Sequence, residues 1–148
     1  MMNALDVLRR KTDSTVVAIE PGASVLEAAR QMNAHRIGAL VVVRPGALGD
    51  QVAGMFTERD VLTRVVAQQR DPAGTVVGDV MSTPALVCEP GTPLDDLRTL
   101  MRERRIRHVP VVDRGVLVGM VSLGDLNAAV HEATVQSLTV LEEFISRS

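Results

Sequence analysis

Hydrophobic and polar positions change their spacing in the same order twice along the chain. A short apolar run at 16–19 precedes a proline-glycine turn, and apolar residues then follow at helical spacing behind Ser24. Two β-branched runs and a second helical pattern complete this set, which begins again at 85–88. A spacing of two residues indicates a strand, and a spacing of about 3.6 residues indicates a helix. The pattern therefore predicts two consecutive β-α-β-β-α units.

Identities between the two units support a repeat. Glu-Pro-Gly at 20–22 recurs at 89–91, and Gly-Met-Phe-Thr at 54–57 pairs with Gly-Met-Val-Ser at 119–122. Each unit has too few apolar residues to cover both faces of a three-stranded sheet with two helices. We therefore expect an α/β (α+β) fold in which the two units pack sheet to sheet with pseudo-twofold symmetry.

Composition narrows the class of protein. The chain has 148 residues, a net charge of −2, one cysteine and no tryptophan or tyrosine. A nucleic-acid or anionic-membrane surface needs a basic excess, and stacking on bases needs aromatic side chains. No apolar stretch approaches the ~20 residues of a membrane helix, and the N-terminus lacks a signal-like apolar segment. We expect a cytoplasmic protein with no nucleic-acid or membrane partner.

Five segments carry a resemblance to a known family. They are 36–43 (RIGALVVV), 52–60 (VAGMFTERD), 80–82 (VMS), 104–112 (RRIRHVPVV) and 118–125 (VGMVSLGD). In tandem they resemble the CBS (cystathionine-β-synthase) domain pair, or Bateman module, of the stand-alone bacterial type. The resemblance implies one repeat at 5–70, a second at 71–131 and a C-terminal helical extension at 132–148.

The resemblance also implies a binding site. In this family a Thr/Ser-x-x-Asp motif opens the closing helix of each unit, with the Asp on the ribose hydroxyls and the Thr or Ser beside the phosphate. The motif corresponds to Thr57 and Asp60 in the first unit and to Ser122 and Asp125 in the second. The implied function is regulatory binding of an adenine nucleotide such as AMP, ADP or ATP, or of NAD or S-adenosylmethionine, with no obligatory cofactor and no metal site. Further cleft residues implied by family geometry are Arg107, His108, Pro110, Val87, Val17, Gly38 and Ala39.

The two clefts are expected to be unequal. By family geometry, Arg107 and His108 face the first cleft, formed at Asp60, whereas Gly38 and Ala39 face the second. Charge-assisted contacts are the stronger hydrogen bonds to phosphate. A tight site for an AMP-like ligand is therefore predicted in the first cleft, and a weaker site, more tolerant of ligands without phosphate, is predicted at Asp125.

The Thr/Ser-x-x-Asp motif also has a purely structural interpretation. At a helix start it caps free backbone amides and places an acidic residue in the first turn. Its recurrence after a glycine-containing strand favours a binding role in addition. Arg59 and Lys11 are expected to be solvated surface residues.

No catalytic motif is present in the sequence, so we expect no enzyme activity. A regulatory module of this kind would act in trans on a separate effector protein. A competing hypothesis is a ligand-independent interaction or scaffold dimer. A third is a metal or redox sensor that uses Cys88, His35, His108 or His131.

The last helical pattern is longer than its counterpart in the first unit. It runs from 126 to 144 without glycine or proline and keeps apolar residues at helical spacing. An apolar stripe beyond the domain can meet a second subunit. We therefore expect a homodimer.

Overall fold

The computed structural model describes residues 1–13 and 15–147. These residues form two mixed α/β repeats and a C-terminal helix, which confirms the predicted fold class. The elements are α1 (Ala4–Arg10), β1 (Ala18–Ile19), α2 (Val25–His35), β2 (Ala39–Gly46), β3 (Gly49–Thr57), α3 (Glu58–Asp60) with a π-helical continuation (Val61–Val66), α4 (Val77–Val80), α5 (Leu94–Arg104), β4 (His108–Asp113), β5 (Val116–Ser122) and α6 (Leu123–Arg147).

The first repeat contains a three-stranded sheet in the order β1-β2-β3. Strand β2 pairs in parallel with β1 and antiparallel with β3. The hydroxyl of Ser24 caps α2 by accepting a hydrogen bond from the amide of Glu27 at 3.0 Å. Apolar residues of the strands and helices meet in one core that includes Leu40, Phe56 and Val65. Strand β2 is the central strand of this sheet, and its residues 39–43 are all buried.

The second repeat has a two-stranded sheet, β4-β5, where the sequence predicts three strands. Of the predicted strand at 85–88, Cys88 alone forms a bridge, pairing in parallel with Val111. Its amide donates to the carbonyl of Pro110 at 2.9 Å. Pro84 and Pro90 flank this segment, and proline cannot donate to a strand ladder. Of the five residues between these prolines, Cys88 is the one that pairs with β4.

The N-terminal helix α1 was not predicted, and it packs with the second repeat. Its first turn has a capping box in which Asn3 and Asp6 each accept from the other's amide. Ala4 and Val7 are fully buried in the second core. The amide of Ala4 also donates to the carbonyl of Thr92 at 2.9 Å. The repeat boundaries 5–70, 71–131 and 132–148 stay a prediction, with α1 attached to the core of the second repeat.

The two repeats meet through strands β3 and β5, which contact each other. The segment that leads into the second repeat also pairs with β3, since Met55 and Ser82 exchange backbone hydrogen bonds of 3.0 and 2.8 Å. Gly54 permits this close approach, because a Cβ atom there would lie 2.8 Å from the carbonyl oxygen of Ser82. The start of the second repeat is thus fastened to the sheet of the first.

Helix α6 continues well past the second core. Leu126 and Ala129 are its buried residues, and from residue 134 to 147 every side chain is exposed. Apolar side chains on this exposed part include Leu138, Leu141 and Phe144. The long tail helix is therefore as the sequence predicts. No helix in the described part of the chain is long and apolar enough to cross a membrane.

Candidate functional site

A cleft of about 1020 Å³ lies between the two repeats. The first repeat contributes the end of α2, the start of β2 and the β3-α3 junction, and the second contributes residues around 82–86 and the junction between α5 and β4. Clefts of this size between packed units are typical ligand sites. Its polar lining residues include Thr57, Asp60, Ser82, Arg107 and His108.

Thr57 and Asp60 line the cleft at the start of α3. The Thr57 amide donates to Asp60 Oδ2 at 3.0 Å, and the Asp60 amide donates to Thr57 Oγ1 at 3.2 Å. This reciprocal capping box satisfies amides that a helix start leaves unpaired. Asp60 is 5% exposed and is the one charged side chain buried in the described part of the chain. The structural interpretation of the motif is therefore correct, although it leaves a binding role open.

Ser82 is a cleft residue that the sequence analysis did not assign. Its hydroxyl donates to Asp60 Oδ1 at 2.9 Å, so the second repeat contacts the buried carboxylate directly. Arg64 approaches the same oxygen at 3.7 Å and donates to the carbonyl of Met81 at 2.9 Å. The sequence signal for Ser82 was its position in the segment 80–82, which carries the family resemblance; the resemblance implied no site role for this segment.

Arginines dominate the charge of the cleft. The basic residues that line it are Arg36, Arg59, Arg104, Arg105 and Arg107, against the acidic residues Glu58 and Asp60. Arg59 was expected to be a solvated surface residue, and the structure places it on the wall of the cleft. This lining has a net positive charge, which suits a ligand that carries phosphate.

His108 lies at the start of β4, and its lowered pKa favours the neutral imidazole at pH 7. Burial lowers its pKa; Lys11 and Arg107 act in the same direction, and Asp125 acts against them. A neutral imidazole still offers one N–H donor. Arg107 is thus the charged member of the pair that the sequence placed in this cleft.

Two helix ends related by the repeat bring the backbone into the cleft. Arg36 follows α2 and Arg105 follows α5, and both have a left-handed φ of 54°. Equivalent hydrogen bonds follow in the two repeats. The amide of Glu58 donates to the carbonyl of Gly38, and the amide of Leu123 donates to the carbonyl of Arg107. Arg36 and Arg105 therefore occupy equivalent positions on one cleft.

The second motif, at Ser122 and Asp125, lies outside this cleft. The amide of Ser122 donates to Asp125 Oδ2 at 2.9 Å, and Lys11 Nζ lies 3.0 Å from the same oxygen. Burial alone would raise the pKa of Asp125, but the hydrogen bonds from Ser122 and Lys11 outweigh it and the pKa is lowered. The expectation that Lys11 is solvated is wrong, because its side chain is 21% exposed and paired.

Only some of the remaining predicted site residues line this cleft. Gly38 and Ala39 line the same cleft as Asp60, although they were expected to face the second motif. Pro110 is buried within β4, Val17 packs on the first core and Val87 is 43% exposed; none of these three lines the cleft. Six of the predicted residues come together: Thr57, Asp60, Arg107, His108, Gly38 and Ala39.

Cys88 and the histidines were the candidates for a metal or redox role. The described residues contain no group of three histidine, cysteine or acidic side chains placed to hold a metal ion. Burial raises the pKa of Cys88 to about 11, so its thiol is protonated at neutral pH. A protonated, buried thiol is a poor nucleophile and metal ligand.

Comparison with known proteins settles the family. The CBS domain model matches residues 6–67 and 77–132. The chain belongs to the CBS domain family. It is 40% identical over 126 residues to the CBS domain-containing protein YhcV of Bacillus subtilis, with 84% of this chain and 86% of YhcV covered. Proteins with paired CBS domains are generally regulatory ligand-binding modules.

Solved structures agree with this assignment. A candidate signal-transduction protein with CBS domains from Burkholderia ambifaria superposes with a TM-score of 0.79 at 37% identity, covering 87% of this chain and 93% of that protein. The CBS domain pair of protein MJ0100, solved with 5′-methylthioadenosine and S-adenosyl-L-methionine, has a TM-score of 0.72 and covers 90% of this chain and 98% of that one. At 22% identity the latter shows the shared fold alone.

Proposed function

We propose that this CBS pair senses an adenine nucleotide, such as AMP, ADP or ATP, in the cleft between its repeats. The observation that carries the proposal is the composition of the cleft. Thr57 and Asp60 come from the first repeat, and Ser82, Arg107 and His108 come from the second. A ligand that contacts both sets joins the two repeats, so its binding free energy depends on their relative geometry.

Asp60 is suited to hold ribose hydroxyls. Its carboxylate has about four acceptor positions, of which the Thr57 amide and the Ser82 hydroxyl use two at 3.0 and 2.9 Å. The Ser82 hydroxyl can rotate toward a ligand, since Ser82 also lines the cleft. A ribose 2′- or 3′-hydroxyl would then donate to Asp60 in its place.

The arginines of the cleft suit the phosphate end of the ligand. Arg107 is exposed on the cleft wall, and Arg36, Arg59 and Arg105 extend the positive lining. Arginine forms bidentate, charge-assisted contacts with phosphate. This lining favours nucleotides over uncharged nucleosides, and it favours them over S-adenosylmethionine, which has no phosphate.

The proposed output is conformational rather than catalytic. The cleft presents a buried carboxylate that takes part in a helix cap, several arginines and a histidine whose pKa is lowered by burial. Closure of the two repeats around a nucleotide would alter the surface that a separate effector protein reads in trans, in the cytoplasm. The size of the effector's response would be set by the difference between its affinities for the nucleotide-bound and nucleotide-free forms of this protein.

The decisive experiment is calorimetry with matched arginine variants. Wild-type protein is titrated with AMP, ATP, NAD, S-adenosylmethionine and adenosine. Arg107→Ala should weaken AMP binding by at least about tenfold, since one charge-assisted contact contributes about 1.5–3 kcal/mol. The control is Arg102→Ala, an exposed arginine of α5 outside the cleft. Equal weakening in both variants, or no binding of any nucleotide by wild type, would refute the proposal.

A second function is favoured by one observation, the exposed apolar side chains of α6. Leu138 and Leu141 are more than half exposed, and Phe144 is 73% exposed. Side chains of this kind on a helix that extends past its own core are typical of an interface. We infer a homodimer formed through α6. If the dimer persists and no nucleotide binds, the chain is a ligand-independent scaffold.

A further inference from the structure

The carboxylates of the two Thr/Ser-x-x-Asp motifs have different partners. Asp60 Oδ1 accepts from the neutral hydroxyl of Ser82, a residue that lines the open cleft. Asp125 Oδ2 pairs instead with the ammonium of Lys11 at 3.0 Å. The two equivalent motifs therefore differ in how closely a cation is held: Arg64 is half exposed and 3.7 Å from Asp60 Oδ1, whereas Lys11 is sheltered and within hydrogen-bond distance of Asp125.

Several contacts hold Lys11 in this position. Its Nζ also donates to the carbonyl of Met120 at 2.9 Å, so the ammonium is fixed between β5 and the start of α6. Lys11 follows α1 directly, and α1 is anchored by Ala4 and Val7 in the second core. The side chains of Lys11 and Asp125 are 21% and 23% exposed, which limits screening by solvent.

The ammonium takes the place that a ligand would need. A ribose whose two hydroxyls donate to both oxygens of Asp125 would have to displace Lys11 from Oδ2 and leave a sheltered charge without its partner, which is costly. Because Lys11 is tethered to the same chain, it competes at a high effective concentration. The same oxygen accepts from the Ser122 amide at 2.9 Å, so the carboxylate is oriented toward Lys11.

We propose that Lys11 is a built-in competitor that closes the nucleotide site at Asp125, so that each chain binds one nucleotide, in the cleft of Asp60. This inference rests on the proposed function, since it concerns the second of the two related nucleotide sites. It makes Lys11 a residue that determines stoichiometry, although Lys11 does not touch the ligand in the first cleft. Lys11 is also the only lysine in the sequence.

The test is the number of AMP molecules bound per chain, measured by calorimetry on the full-length protein. Wild type should bind one. Lys11→Met, which keeps the apolar stem and removes the charge, should bind a second AMP that is lost again in the double variant with Asp125→Asn. Arg10→Met, which removes the neighbouring cation and its 3.7 Å contact with Glu132, should still bind one.

The possible failures of this experiment are distinguishable. If neither wild type nor any variant binds AMP, the proposed function is wrong. If wild type and Lys11→Met both bind one, or if wild type already binds two, the proposed function survives and the closure of the second site is refuted.

Amine labelling gives a second measurement that does not need a Lys11 variant. Because the chain has a single lysine, acetylation of its side chain can be followed by mass spectrometry of one peptide. Asp125→Asn should make Lys11 react several times faster than in wild type, because the ammonium loses its partner. Asp60→Asn serves as the control and should leave the rate unchanged. Equal rates in wild type and Asp125→Asn would overturn the inference.

Discussion

Replacing Asp60 tests how much of the motif is a helix cap and how much is a ligand contact. In Asp60→Ala, the amide of Thr57 and the hydroxyl of Ser82 lose acceptors at 3.0 and 2.9 Å. Hydrogen bonds to a charged group contribute about 1.5–3 kcal/mol each. Arg64 lies farther away, at 3.7 Å, and its side chain is 51% exposed, so its pairing adds at most about 1 kcal/mol. The expected loss is therefore about 3–6 kcal/mol.

A loss of this size is a large part of the total stability of a domain, which is about 5–15 kcal/mol. It should lower the melting temperature by roughly 10 °C or more for a chain of this length. Asp60→Asn keeps a carbonyl oxygen that can accept one of the two hydrogen bonds, so about half of the loss is expected. Asp60→Asn should therefore remain folded at 25 °C and be suitable for binding measurements.

The assay is urea denaturation followed by circular dichroism, because the chain has no tryptophan or tyrosine to report by fluorescence. Stability of Asp60→Ala within about 1 kcal/mol of wild type would refute the energetic reasoning, since at least one charge-assisted bond would contribute nothing. Calorimetry on folded Asp60→Asn then separates the two roles. AMP affinity equal to that of wild type would show that the carboxylate serves as a cap alone.

Three further predictions follow from other parts of the molecule. Stability should decrease as the pH falls below about 6.5, because the unfolded chain protonates this histidine more readily than the folded chain, in which the pKa of His108 is lowered. It should decrease further below about pH 4, where the unfolded chain protonates Asp125 before the folded chain does; thermal melts from pH 8 to about pH 2 that stay flat would contradict both expectations. Gly54→Ala should destabilise more than Gly119→Ala, because the new Cβ meets a backbone carbonyl in the first case and the end of a leucine side chain in the second, each at 2.8 Å; equal melting temperatures would argue against this difference. Phe144→Asp should shift sedimentation from dimer to monomer at micromolar concentration without loss of helical signal, and an unchanged dimer would exclude this face of α6 as the interface.

The local elements could be predicted from the sequence because they depend on neighbours along the chain. Apolar spacing and the cap at Ser24 predicted α2, and the uninterrupted apolar pattern predicted the long α6. Helix α1 was missed although Asn3 and Asp6 carry a capping signal, because seven residues give too short a pattern to recognise. The strand predicted at 85–88 was reduced to a single bridge at Cys88, because strand formation depends on a partner as well as on propensity.

The sequence by itself determined the repeat, the family and the motif residues, since each of these is written in residue type and spacing. It also placed Arg107 and His108 beside Asp60 through the resemblance, and the cleft brings these residues together. Only the tertiary structure decided which partner each motif carboxylate has. Lys11 lies far from Asp125 along the chain, and their pairing depends on how α1 packs on the second core. Contacts between distant segments depend on how whole elements pack. No local pattern could therefore reveal that the first motif lines an open cleft while the carboxylate of the second motif pairs with a lysine.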